Sequence, residues 1–294
     1  MKDFAYFQPD TLEQTLKILQ QEGSRAKLIA GGTDLLVKMK RRVIAPPCLI
    51  SLQQVKGLAF LDSGTGGLRI GALTTLATIA KNPSVQQHYP VLAATAAKMA
   101  SSQVRNLATI GGNICNAAPS ADLAPPLIAL EATVVIQGAQ GIRMVPLAEF
   151  FTGPGATVLR PDELITAINL PLPEQGTQAV YIKHGIRKAM DIACVGVTVK
   201  IGPRPKDAPA GQSGDWEVRI VLGAVAPTPI RVQDAESLAA QGPKPEFIQE
   251  AALAAEKAAR PIDDVRSSAF YRNEMVRVLV QRGLEACWGG GEHA

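Results

Sequence analysis

The sequence predicts an α+β protein in two parts: a mixed helix and strand region, then an antiparallel sheet covered by helices. Three observations carry that expectation. The chain has 294 residues, enough for two domains at about 150 residues each. Hydrophobic residues make up 47% and aromatic ones only 4%, so Ala, Val, Ile and Leu must fill closely spaced helix-on-sheet layers. The strand pattern of residues 164–170 stops at Pro171-Leu172-Pro173, and beyond these prolines the chain changes to long alternating segments and then helices. The expected division is 1–173, with lobes at about 1–56 and 57–173, and a C-terminal domain at 177–288.

Element by element, residues 4–7 are extended and Asp10 is placed as the N-cap of a helix ending near Gly23, with Leu12, Leu16 and Leu19 on one face. A strand at 27–30 leads through Gly31-Gly32 into a helix from Thr33. Short strands follow at 49–52, 58–61 and 68–70, the last two joined by turn chemistry at Ser63-Gly64-Thr65-Gly66-Gly67. Helices are expected at 75–80 and 90–99, an extended segment at 106–118, a helix at 123–130, and a hairpin of 133–136 with 142–145 around Gly138 and Gly141. In the second part, 180–186, 193–201 and 216–225 alternate as long antiparallel strands, with an exposed loop at 202–214. Amphipathic helices at 247–258 and 270–284 should cover that sheet, and the tail 289–294 is expected to be disordered.

Composition removes several function classes. A net charge of +4, dispersed along the chain, is too mild for a nucleic-acid binder. No apolar run approaches the ~18 residues of a membrane span, and Asp3, Gln8, Pro9 and Asp10 interrupt the stretch where a signal peptide would be apolar. The expected location is cytoplasmic. Cys48, Cys115, Cys194 and Cys287 are 67, 79 and 93 positions apart, and only three histidines exist; no metal site or His-based catalytic triad is expected. P-loop, nucleophile-elbow and GxGxxG patterns are absent.

What remains is a pair of glycine motifs 80 positions apart, Ile29-Ala30-Gly31-Gly32-Thr33-Asp34 and Thr109-Ile110-Gly111-Gly112-Asn113. Each is read as a loop following an apolar strand, with unshielded backbone N–H groups that a phosphate can approach closely. The first also opens a helix, whose dipole favours anions. Two such loops from separate lobes could hold one diphosphate between them. Each glycine pair taken alone reads more often as only a tight turn.

These residues carry a family resemblance. Leu28-Ile29-Ala30-Gly31-Gly32-Thr33-Asp34-Leu35 and Thr109-Ile110-Gly111-Gly112-Asn113, followed by Ala118-Pro119-Ser120-Ala121-Asp122-Leu123, resemble the FAD-binding medium subunit of molybdenum hydroxylases, the xanthine dehydrogenase and carbon monoxide dehydrogenase family. The resemblance extends through Asp162-Glu163-Leu164-Ile165, Asn169-Leu170-Pro171 and residues 183–193. It implies a two-lobed FAD-binding fold of the vanillyl-alcohol-oxidase type and a C-terminal domain of the carbon monoxide dehydrogenase flavoprotein type. Both glycine segments would contact FAD, Asp122 would be a polar FAD contact, and Ile165 and Lys183 would lie near the flavin. Met99 matches a position that can be aromatic in relatives. Asp122 also reads as a cap for the next helix, and Lys183 as a sheet-surface lysine. No room exists between Cys115 and Asp122 for the cysteine-rich insertion of some relatives, and Cys115 reads as a small thiol beside a cofactor.

The resemblance implies FAD on this chain, a molybdenum cofactor on a large partner, 2Fe–2S clusters on a small partner, and electron delivery to NAD or another acceptor. No general acid or base is nominated. A self-contained flavin oxidase of the same fold and a nucleotide-binding scaffold stand as alternatives. The basic run Lys38-Met39-Lys40-Arg41-Arg42 reads as a solvated helix end or as a docking surface. In His184-Gly185-Ile186-Arg187-Lys188-Ala189-Met190-Asp191 two cations outnumber one anion, which gives a net positive loop near the flavin.

Overall fold

A computed structural model describes residues 2–187, 189–204 and 216–289. The loop expected at 202–214, the tail and Lys188 therefore lie mainly or wholly outside the described residues. The N-terminal lobe contains β1 (Ala5–Phe7), α1 (Leu12–Glu22), β2 (Ala26–Ile29), α2 (Leu35–Lys40) and β3 (Cys48–Ser51). Its three strands form a parallel sheet in the order β1-β3-β2, with α1 packed on one side through Leu19. The cap of α1 is Thr11, not Asp10: the Thr11 side chain accepts from the Gln14 N–H at 3.2 Å, and the Gln14 side chain accepts from the Asp10 N–H. The Thr11 hydroxyl thus satisfies the third N–H of the helix, one of those the helix leaves free, while Gln14 ties down the chain just before the cap.

The middle lobe continues with β4 (Leu61–Gly64), β5 (Gly67–Gly71), α3 (Leu76–Lys81), α4 (Pro83–His88), α5 (Pro90–Lys98), α6 (Ser102–Leu107), α7 (Ile110–Asn116), α8 (Ala124–Ala129), β6 (Thr133–Gly138), β7 (Gly141–Pro146), β8 (Phe151–Gly153), β9 (Ala156–Thr157) and β10 (Leu164–Leu170). Its main sheet has the order β4-β5-β10-β6-β7, and the helices bury Ile79, Leu92, Ile110, Ile114 and Leu127 against it. The strand expected at 58–61 begins only at Leu61. The segment 106–118, expected to be extended, is helical instead. Thr109 caps α7 by accepting from the Gly112 N–H at 3.1 Å, and Ile110 and Ile114, four apart, are both fully buried. Burying that apolar pair outweighs the helix cost of two glycines, about 1 kcal/mol each.

The C-terminal part holds β11 (Gln178–His184), β12 (Val195–Pro203), β13 (Trp216–Gly223), β14 (Ile230–Arg231), α9 (Gln233–Ala239), α10 (Pro245–Ala258) and α11 (Ala269–Trp288). The four strands form one antiparallel sheet in chain order. Val195, Val197, Val199 and Ile201 on β12 meet Ala251, Val276, Val280 and Leu284 of the covering helices, as the alternation and amphipathicity predict. Gly283 brings α11 close to this sheet, since a Cβ there would lie 2.7 Å from Val199. The two parts share a core: Val221 of β13 is buried among middle-lobe residues, with Ala179 and Tyr181 of β11 packed beside it.

Candidate functional site

The first glycine motif lies where β2 ends and the chain turns into α2. Gly32 has φ +72°, a left-handed conformation that glycine adopts without strain. Among the described residues, the backbone N–H groups of Gly31, Gly32, Thr33 and Asp34 have no protein acceptor. Successive free donors of this kind form an anion-binding concavity. The expected helix from Thr33 begins only at Leu35 and runs six residues, so the donors themselves, more than any helix dipole, make the site attractive to an anion.

The second motif behaves differently. The Gly111 N–H donates to Ala72 O at 2.9 Å and the Gly112 N–H to the Thr109 hydroxyl, so these two donors are occupied rather than unshielded. No strand precedes them. Their role is close approach: a Cβ at Gly111 would lie 2.7 Å from Ala72 O, and one at Gly31 would lie 1.8 Å from Leu107 O. A Cβ at Gly112 would come to 4.0 Å from the Cβ of Ala30. The glycines thus bring the two motifs together, and Lys38 adds a tie by donating to Asn116 Oδ1 at 2.6 Å. The basic run is therefore not wholly a solvated helix end.

Asn113 supplies the other clue. Its Oδ1 is buried and has no hydrogen-bond partner. An orphaned acceptor costs on the order of 1–3 kcal/mol and calls for an explanation. Free donors on one loop and an unpartnered amide oxygen on the first turns of α7 packed beside it fit a ligand that carries both phosphates and hydrogen-bond donors. Cys115, two residues further, is exposed.

Asp122 does not cap α8: the N-cap position is Leu123, whose side chain makes no capping hydrogen bond. Its carboxylate instead reaches β11: the Tyr181 hydroxyl donates to Oδ1 at 2.7 Å and the Lys183 ammonium to Oδ2 at 2.7 Å. Lys183 also donates to Asp191 O at 2.6 Å, so it is a buried-side tether and not a loose surface lysine. Burial, then the charge of Asp122 and the hydrogen bond to it, push the Tyr181 phenol well above its ordinary range, so Tyr181 is a permanent donor. Sequence reasoning missed it, although its spacing of two from Lys183 places both on one face of a strand.

Ile165 is buried in the middle-lobe core at a register shift between β10 and β6. A groove of about 1380 Å³ opens beside the Asp122–Lys183 pair, between α5 and the β11 face, and the loop after β11 forms one wall. Of the two cations in the loop after β11, Arg187 is described and Lys188 lies outside the described residues. Arg187 donates to Asp191, and the Arg187 backbone N–H holds the Asp191 carboxyl below its ordinary range, aided by the Ile192 N–H and the guanidinium. Asp191 is thereby tied to Arg187. Among the described residues no group of three or more His, Cys, Asp or Glu could hold a metal ion, and no helix is long and apolar enough to cross a membrane.

Comparison with known proteins bears on this geometry. Residues 2–173 match the family model of the FAD binding domain in molybdopterin dehydrogenase, and residues 180–287 match that of the CO dehydrogenase flavoprotein C-terminal domain. The carbon monoxide dehydrogenase medium chain of Hydrogenophaga pseudoflava is 36% identical over 288 residues, covering 97% of each chain. The xanthine dehydrogenase FAD-binding subunit of Escherichia coli O157:H7 is 33% identical, covering 96% of this chain and 95% of its own. A solved structure of the Hydrogenophaga pseudoflava carbon monoxide dehydrogenase superposes with a TM-score of 0.90 at 34% identity, over 98% of both chains.

Proposed function

We propose, from the premise that this chain belongs to the FAD-binding medium subunits of the xanthine dehydrogenase and carbon monoxide dehydrogenase family, that it is the flavoprotein component of a molybdenum hydroxylase complex. In this reading a large partner carries the molybdenum cofactor and oxidises the substrate, and a small partner relays single electrons through 2Fe–2S clusters. FAD bound on this chain supplies a two-electron store, matching one-electron delivery to the reduction of NAD or another acceptor.

The chain's own residues bind and orient. Gly31 to Asp34, with their free N–H groups, would hold the diphosphate; Thr109 to Asn113 would close over it, with Asn113 Oδ1 accepting from the ligand. Leu28, Ile29, Ala30 and Leu35 frame the first loop, while Asp122, Ile165 and Lys183 stand near the flavin. No residue is assigned a proton-transfer role. The observation that carries this reading is the coincidence of free donors on the first glycine loop and an orphaned acceptor on α7, two segments that glycine packs together. Against a self-contained oxidase stands the similarity to medium chains over nearly the full length of both; against an inert scaffold stand the open donors.

The test uses the assembled complex. Gly32→Val forces a branched side chain into a left-handed conformation, with Leu36 at 3.0 Å, and should yield a complex without FAD. That complex should still pass substrate electrons to an artificial dye at the molybdenum or iron-sulfur centres while losing reduction of the physiological acceptor. Full acceptor reduction without FAD would sink the proposal.

A further inference from the structure

Asp122 belongs to the middle lobe, yet both of its oxygens are occupied by groups on β11, across the junction. Lys183 is recognisable from the family resemblance; Tyr181 is not. Its ring packs against the middle-lobe core, and its hydroxyl has a space made for it by a glycine: a Cβ at Gly196 would lie 2.7 Å from Tyr181 Oη and 3.1 Å from its ring. Gly196 sits on β12, beside Lys183 in the strand register. An alanine there would occupy the hydroxyl's place. The fold thus gives up a side chain in the middle of a sheet, at a cost of about 1 kcal/mol, and the gap admits the phenol.

A buried carboxylate held by one cation alone can rotate about its last torsion, because an ammonium accepts many approach directions. A second donor on the other oxygen removes that freedom. The Tyr181 phenol stays protonated, since burial and the neighbouring carboxylate raise it well above its ordinary range, so its donation to Oδ1 is constant. Asp122 is 8% exposed, and its remaining lone pairs point in directions fixed by these two bonds.

We propose that Tyr181 is a positioning residue for the flavin site: through its hydrogen bond to Oδ1 it aims the Asp122 carboxylate at FAD, in the room that Gly196 provides. This rests on the assignment of Asp122 as a FAD contact. In this proposal Tyr181 acts through Asp122 and needs no contact of its own with the cofactor.

The experiment measures FAD affinity of the apo chain, by quenching of flavin fluorescence, and the midpoint potential of the flavin at saturating FAD. The variants are Tyr181→Phe, Asp122→Asn and the double substitution, with Gly196→Ala as an independent way to displace the hydroxyl. Tyr181→Phe keeps the ring and the packing, and should weaken FAD binding about tenfold and shift the potential. In the Asp122→Asn background it should change affinity by less than about twofold and leave the potential where Asp122→Asn put it, because residues acting through one another are non-additive. Gly196→Ala should reproduce the affinity loss with Tyr181 intact. Equal effects of Tyr181→Phe in both backgrounds, or no effect on either readout in the native background, would overturn the proposal. If Asp122→Asn alone changes neither readout, the assignment of Asp122 as a FAD contact fails first, and that result is distinct from a failure confined to Tyr181.

Discussion

At the scale of single residues, the two glycine motifs look alike in sequence and differ in the fold. Gly31 and Gly111 are needed because backbone oxygens stand where a side chain would begin, whereas Gly32 is needed for its positive φ. The first loop leaves four successive donors free, whereas those of Ile110 to Asn113 are occupied. A pattern of letters cannot separate these uses, since each depends on what another part of the chain brings up against it. Asn113 makes the distinction testable. Removing a buried acceptor that has no partner costs the apo protein little, while a ligand donor would lose its mate. Asn113→Ala should therefore leave the melting temperature of the apo chain within about 2 °C and weaken FAD binding roughly tenfold or more. A variant that loses stability while keeping native affinity would assign Asn113 to the fold alone.

The elements were most legible where one period ran unbroken. The β10 strand, the β6–β7 hairpin, β12 and the two long C-terminal helices follow their alternation or amphipathic spacing closely. The failures share a physical cause. At 106–118 the glycines suggested extended chain, but the spacing of Ile110 and Ile114 and the Thr109 cap decided for helix. Long-range polar contacts left no periodic trace at all, and Glu163 is an example. It precedes β10, accepts from the Arg143 guanidinium of β7 through both oxygens at 2.8 and 2.7 Å, and accepts from the Arg160 N–H at 2.8 Å. These bonds, the Arg143 one foremost, hold its carboxyl below the ordinary range despite burial. A depressed folded value means that the stability is present above the unfolded carboxyl range, near pH 4.3, and is lost as pH falls through the folded value. Glu163→Gln should thus cost about 1–2 kcal/mol at pH 7, and its deficit relative to the native chain should shrink below about pH 4 in chemical denaturation. A deficit that stays constant down to pH 2.5 would assign the effect to shape rather than charge.

For the whole molecule, the decisive fact is that the two parts are joined around the Asp122–Lys183 pair. Val221 of the C-terminal sheet is buried in the middle-lobe core, and Ala224 N donates to Pro119 O at 2.8 Å, three residues before Asp122. Glu131, in the turn after α8, pairs with Lys200 and Arg219 on the sheet. Lys200 and Arg219 outweigh burial in holding the Glu131 carboxyl below its ordinary range. The sequence announced a boundary at the prolines but gave no sign of this continuity, which arises from side chains more than 60 positions apart. A ligand gripped by the glycine loops and by the Asp122–Lys183 pair must then stabilise both parts together. At a free FAD concentration of about 100 Kd the gain is about 2.7 kcal/mol, which for a chain of this size corresponds to roughly 5–10 °C in Tm. Calorimetry should show one transition that moves upward as a unit, and hydrogen exchange should show added protection in β11 as well as in α2 and α7. Protection confined to residues of the N-terminal and middle lobes, with β11 unchanged, would place the cofactor away from Lys183 and leave the junction as a structural joint only.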